Sequence, residues 1–195
     1  MFRIGNGLRA SVLALCLWGP CAAADWILDG DASTLGFVSV KNGQVAEGHR
    51  FTGLAGSVRE TGAELSVDLA TVDTLIPIRN ERMRDLLFEV VDFPTAVFRS
   101  DIDLAPVLEA APGESMTLSL AGTLSLHGIE APFGGEVRVT RVDADTVTVA
   151  TVRPLVLNAA SFGLEAGVER LRAIAGLNGI TGMVPVNFAL SFARD

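Results

Sequence analysis

The sequence predicts a mainly β protein: one antiparallel β-barrel of about eight strands, with one or two short helices capping it. Three observations carry that expectation. Apolar and polar residues alternate at every second position through most of the chain, turn signals separate the alternating runs, and only two segments switch to helical spacing. No regular exchange of strand and helix appears, which argues against a doubly wound α/β sheet.

The first 24 residues are set aside from the fold. Arg3 and Arg9 precede a short apolar run from Ala10 to Trp18, and Ala22-Ala23-Ala24 offers small residues before Asp25. That order is the pattern of a cleaved secretory signal, and the run is too short to span a bilayer. We expect cleavage after Ala24, export to the periplasm, and a single domain over residues 25–195. Both cysteines, Cys16 and Cys21, fall in the removed segment, so the mature chain has no thiol for disulfides, nucleophilic catalysis or metal binding. The 171 residues left from 195 suffice to build one core without cross-links. Losing two arginines takes the formal charge from −8 to −10, which argues against nucleic acid, whose phosphates need clustered Lys and Arg.

The first strands are placed at Leu35 to Val40 and Arg50 to Arg59, followed by the alternation of Leu65, Val67 and Leu69. A helix is expected over Arg79 to Val91, because Met83, Leu86, Leu87 and Val90 fall on one face with Arg79, Arg82, Arg84 and Asp85 opposite. Asp92-Phe93-Pro94 stops it, since proline disfavours helix at the residue before it. A strand follows over Ala96 to Leu104. The longest alternation runs from Met116 through Leu118, Leu120, Gly122 and Leu124 to Leu126. Shorter ones hold Val137 and Val139, then Val147 and Val149, then Arg153 to Asn158. A second helical stripe, Leu164, Val168, Leu171 and Ala175, is weakened by Gly163 and Gly167. The last strand carries Val184, Val186, Phe188, Leu190 and Phe192. Turns are marked by Asn42-Gly43, Thr61-Gly62, Ala111-Pro112-Gly113, His127-Gly128 and Asp143-Ala144-Asp145. Closure into a barrel removes the exposed edges of so many antiparallel strands, and about eight strands leave an interior that is either filled or holds one small ligand.

Little in the chain points to catalysis. His49 and His127 are the only histidines, with no second ligand at metal-binding spacing and no G-x-S-x-G elbow. His127, in a turn, reads as a structural hydrogen-bonding residue, and His49 as a rim residue. Asp73 and Thr74 end a strand, where side-chain bonds to the turn backbone are expected. Arg79, Arg82 and Arg84 fit either a solvated helix face or contacts to a polar head group. Phe88, Phe93 and Phe98 fit either a cavity wall or packing beneath the helix. There is no tyrosine, and nine phenylalanines follow the signal segment, so apolar walls dominate whichever holds.

Several ordered blocks resemble the YceI family of exported lipid-binding proteins. Val72-Asp73-Thr74 is similar to its S-V-D-T strand end, Arg79 to Leu87 to its R-D-x-H-L-R helix, and Phe88 to Ser100 to the aromatic and proline passage that follows. Leu124 to Phe133, with Leu-His-Gly at its centre, resembles the family's L-T-L-H-G-V-T-K-P-V. Asn158 with Ser161-Phe162-Gly163-Leu164 resembles the late N-R-s-d-F-G motif, and Trp26 to Phe37 the opening strand. Two family histidines are replaced here, one near Ala32-Ser33 and one at Asn42, and the helix histidine is Met83 or a neighbour. The resemblance implies a lipocalin-like β-barrel around a long apolar cavity. It further implies non-enzymatic binding of a polyisoprenoid, an isoprenoid quinone or a fatty acyl derivative for transport or storage. On that reading the lumen and mouth are drawn from Phe37, Phe51, Met83, Leu86, Leu87, Phe88, Phe93, Phe98, Leu118, Leu120, Leu124, Phe162 and Phe188. No catalytic residue, metal or cofactor is expected, apart from a bound polyisoprenoid or quinone-like lipid. The partner is an apolar lipid, with transient membrane contact and a homodimer both compatible. The competing reading is an accessory or stress-response protein docking to a membrane redox partner.

Overall fold

The computed structural model describes residues 25–59 and 62–195; the expected signal segment, and Thr61 of the Thr61-Gly62 turn, lie outside the described residues. Eleven strands form one continuous antiparallel sheet: β1 (Trp26–Lys41), β2 (Val45–Phe51), β3 (Leu54–Arg59), β4 (Gly62–Asp68), β5 (Val72–Asp73), β6 (Thr95–Ser100), β7 (Ser115–Leu126), β8 (Ile129–Arg141), β9 (Thr146–Thr151), β10 (Leu155–Asn158) and β11 (Met183–Arg194). Among the described residues three α-helices interrupt them: α1 (Pro77–Met83), α2 (Ala105–Glu109) and α3 (Glu165–Ile174).

The sheet closes because β11 pairs with β1, so β1, β3, β4, β6, β7, β8, β9 and β11 make an eight-stranded ring. The three remaining strands extend one end of it. Strand β1 gains β2 as its partner over Leu35 to Lys41, having paired with β3 at Trp26 and Ile27. Strand β11 likewise pairs with β9 over Ala189 to Ala193 and with β10 over Met183 to Val186. A register shift between Asp29 and Thr34 lets β1 make this change. There Ser33 Oγ donates to the Asp29 carbonyl at 2.6 Å and accepts from Ser191 N at 3.0 Å, so the position near which the family carries histidine does structural work in this chain.

The alternating sequence explains the closure, and local chemistry explains where strands stop. The expected strand over Arg50 to Arg59 is two strands, because Thr71 Oγ1 accepts from Gly53 N at 2.8 Å and turns the chain. His127 and Gly128 have φ of +53° and +75° between the paired Leu126 and Ile129, the two-residue hairpin turn that suits twisted strands. The first expected helix is α1 plus one wider turn over Arg84–Phe88, ended by Glu89 at φ +48°. The strand expected to reach Leu104 stops at Ser100, and residues 101–104 run irregularly into helix α2.

These helices divide the barrel into two ends. Helices α1 and α3 cover the same end, together with the β1–β2 hairpin, which bonds through Asn42 N to the Gly179 carbonyl at 2.8 Å. Gly167 makes the α3 crossing possible, since a Cβ there would lie 2.7 Å from the Leu86 carbonyl oxygen. Helix α2 covers the opposite end, anchored by the buried Val107. The core is correspondingly split. Leu69, Val72, Met83, Phe88, Leu126 and Phe162 pack at the α1–α3 end; Trp26, Leu28, Val137, Val139, Leu190 and Phe192 pack at the α2 end. Only half-buried side chains, Leu54, Leu65 and Phe188, touch both clusters.

Candidate ligand-binding site

A cavity of about 450 Å³ occupies the space between those two cores. Its walls follow directly from the period of a strand, which sends every second side chain inward. Strand β6 contributes Ala96 and Phe98, β7 contributes Leu120, Leu124 and Leu126, and β11 contributes Val184, Val186, Phe188, Leu190 and Phe192. The wall is apolar nearly throughout. Glu64 of β4 is one exception; the others cluster near β1, whose inward positions change from Leu35 and Phe37 to Ser39 and Lys41 as the strand nears the α1–α3 end. Its partner β2 presents Glu47 and His49 at the same level, Phe37 standing opposite His49 and Ser39 opposite Glu47.

This polar end is knit together by one carboxylate. Glu47 Oε2 pairs with both Lys41 Nζ and Arg79 Nη1, and the lysine and arginine hold its pKa below the usual carboxylate range. Arg79 Nη2 donates to the Thr74 carbonyl at 2.6 Å. His49 is 7% exposed, its ring 5.1 Å from that of Phe37, and its Nε2 lies 2.8 Å from Ser39 Oγ. Burial lowers its pKa below the ordinary value, with the Arg79 charge acting in the same direction. His49 therefore belongs to the cavity wall and not to the rim expected from sequence.

The lid over this end begins at Asp73 and Thr74. Asp73 Oδ1 accepts from Leu75 N at 2.9 Å, while Asn80 Oδ1 accepts from both the backbone N and the Oγ1 of Thr74. Those bonds fix the entry into α1, whose Pro77 needs no donor partner at its first turn. The far side is fastened by Glu89, whose Oε2 meets His127 Nε2 at 3.1 Å and whose Oε1 accepts twice from Arg170 of α3. His127 thus makes its structural bond to a side chain across the lid, where a bond to backbone was expected.

Nine of the residues proposed from sequence border the cavity: Phe37, Phe51, Met83, Leu87, Phe88, Phe98, Leu120, Leu124 and Phe188. Four do not. Leu86 is half-buried where the lid crosses α3, and Leu118 packs into the α2-end core. Phe93 covers the His127 ring at 4.4 Å, and Phe162 is buried in the α1–α3 core. Sequence reasoning overlooked Trp26, Val137 and Val139 at the far end, and Ser39, Lys41 and His49 at the polar end. The inward period of β1 was the available signal, since it puts Ser39 and Lys41 on the face of Leu35 and Phe37. Arg79 and Arg82 also border the cavity, whereas Arg84 Nη1 turns to the Ala70 carbonyl.

A family model for the YceI-like domain matches residues 26–192, from the first strand of the ring to its last. The chain belongs to the YceI-like domain family. Among solved structures it is similar to a polyisoprenoid binding domain from Saccharophagus degradans implicated in plant cell wall breakdown, with 41% identity and a TM-score of 0.85 over 87% of this chain and 98% of that one. It also resembles BcnA of Burkholderia cenocepacia, at 20% identity and a TM-score of 0.64 over 84% and 98% of the two chains. The YceI protein of Campylobacter jejuni is more distant, at 11% identity and a TM-score of 0.53 over 75% and 84%. These last two show a shared barrel and nothing finer. No curated protein matches the chain.

Proposed function

We propose that this YceI-like protein is an exported, non-enzymatic carrier that holds one long apolar lipid, a polyisoprenoid, an isoprenoid quinone or a fatty acyl chain, inside its barrel. The observation that carries the reading is the continuous apolar cavity between two separate cores. Its 450 Å³ is within the range of small-molecule sites. An apolar cavity of roughly 150 Å³ stays dry and takes up one benzene, so three times that volume accommodates on the order of 15–20 carbons. At about 0.8 kcal/mol per buried methylene, such a chain gains on the order of 10 kcal/mol before the cost of ordering it. The 41% identical Saccharophagus domain, described as polyisoprenoid binding, supports the same class of ligand.

Loading from a membrane is part of the proposal. Leu75 is 83% exposed beside the half-exposed Ile76 and Ile78, and the two isoleucines border the cavity at the lid. The N-terminal pattern of charge, apolar run and small residues supports export into the periplasm.

The direct test is native mass spectrometry of protein purified without detergent, followed by solvent extraction. A bound lipid mass that leaves into the organic phase is expected. Apo mass alone, with no uptake of added isoprenoid quinone or polyprenyl lipid, would remove the carrier function.

A further inference from the structure

The polar end of the cavity holds two buried polar atoms that bond to nothing among the described residues. His49 Nδ1 and Arg79 Nε are both shielded from solvent, and neither has a hydrogen-bond partner among those residues. Both residues border the same cavity. Buried polar groups are nearly always paired, so two orphans at one end of an apolar lumen call for an explanation. Structural duties do not supply it. His49 already meets Ser39 through Nε2, and Arg79 already meets Glu47 and the Thr74 carbonyl through its terminal nitrogens. The leftover atoms are the ones not needed for holding the fold.

We propose that this end is a head-group site, in which Arg79 Nε and His49 Nδ1 bind one acceptor oxygen of the ligand while the hydrocarbon runs toward Trp26. The proposal rests on the carrier reading and specifies which end of the lipid goes where. Arg79 Nε–H can only donate, so its partner must be an acceptor. His49 supplies a second donor when Ser39 Oγ–H donates to Nε2, the tautomer that puts the ring proton on Nδ1. A neutral ring, which burial and the Arg79 charge favour, keeps that arrangement available. Two cations, Lys41 and Arg79, share the single carboxylate of Glu47, and Arg82 also borders the cavity. The excess positive charge selects an electron-rich oxygen, whether the carbonyl of a quinone ring or a phosphate. At the opposite end, Trp26, Val137, Val139, Val147 and Phe192 offer a hydrocarbon terminus apolar contacts, and Glu64, which also borders the cavity there, is already paired with Arg99.

The experiment compares three ligands with one isoprenoid chain: the bare hydrocarbon, the chain carrying a benzoquinone ring, and the chain carrying a monophosphate. Each is titrated by native mass spectrometry into the mature protein and into His49→Leu and Arg79→Lys. The wild type should prefer at least one oxygenated ligand to the hydrocarbon by about tenfold, the factor that satisfying a buried donor is worth. Preference for the quinone identifies a carbonyl partner, and preference for the monophosphate an anionic one. In both variants the preference should collapse to within about twofold. Arg79→Lys retains a cation for Glu47 while removing the Nε donor; His49→Leu removes the orphan Nδ1 but also the partner of Ser39 Oγ, so ligand-free His49→Leu should melt close to the wild type. If wild type binds all three ligands equally, or the variants keep its preference, the head-group site is overturned and the carrier reading stands. If wild type binds none of the three, both fall.

Discussion

At the α2 end of the barrel the inward faces meet one another and close around Val137 and Val139, which are 1% and 3% exposed. At the α1–α3 end the same alternation brings in Ser39, Lys41 and His49, and the roof is a lid of α1, a wide turn and α3. One strand pattern thus produces a packed plug at one end and a partly polar chamber at the other. The difference lies in side-chain identity at a few inward positions, not in topology. Stability should therefore be concentrated in the plug, and ligand discrimination in the chamber.

The sharpest way to break that comparison is to place the same charge at both ends. Val137→Asp buries a carboxylate with no partner and should cost about 3–5 kcal/mol in urea unfolding. Ile78→Asp, at a half-exposed position of the lid, should stay within about 0.5 kcal/mol. Equal losses would show that the two ends share one cooperative core. Next in size is a block between them. Leu120→Trp fills lumen space, so it should lower affinity for an isoprenoid lipid by tenfold or more. The same change should cost less than the roughly 1–3 kcal/mol typical of overpacking a filled core. A larger loss of stability would mean that no void exists beside Leu120.

Much of this architecture was legible in the sequence because a strand announces its two faces. The eleven-residue alternation from Met116 to Leu126 became β7, and the turn signals at Asn42-Gly43 and His127-Gly128 became hairpin turns with positive φ. Closure into a ring was expected from the need to remove edges, but the partner change along β1 was not, since it depends on the Ser33 and Asp29 bonds across a register shift. Aromatic residues were the least legible. Phe93 and Phe98 both looked like wall candidates, yet Phe98 borders the cavity while Phe93 covers His127. Only the three-dimensional path of the lid separates them. The polar chamber was missed for a related reason: Ser39 and Lys41 look like ordinary polar strand positions until register shows them facing inward.

A smaller effect should appear on acidification. The pKa of His49 is lowered by burial and by Arg79, with Lys41 adding to this and Glu47 and Asp73 opposing. The unfolded chain then binds a proton more readily than the native one. The contribution is present in full above the ordinary histidine value near 6.5 and is lost as pH falls below it toward the lowered native value. Glu47 adds a second loss at lower pH, below the ordinary carboxylate range, because its native pKa is lowered by Lys41 and Arg79. Thermal unfolding followed from pH 7.5 downward should show the first decline in the wild type and a flatter line in His49→Leu. Parallel curves would mean that His49 titrates alike in the folded and unfolded chains.

The smallest expected effect concerns the fastening of the lid. Glu89 ends the wide turn in a left-handed conformation and joins His127 of the β7–β8 hairpin to Arg170 of α3, bonds that lower its pKa. Glu89→Gln keeps the shape and one acceptor but removes the charge that both partners address. All three side chains are partly exposed, so global stability should barely move. Local opening is a different quantity, because a lid can open without disturbing the plug at the α2 end. Amide hydrogen exchange should therefore quicken within residues 84–93 and at the start of α3, while amides of β8 around Val137 exchange as before. Uniform acceleration across both regions would show that the lid and the barrel open as one unit, and that the two ends of this molecule are not energetically separate.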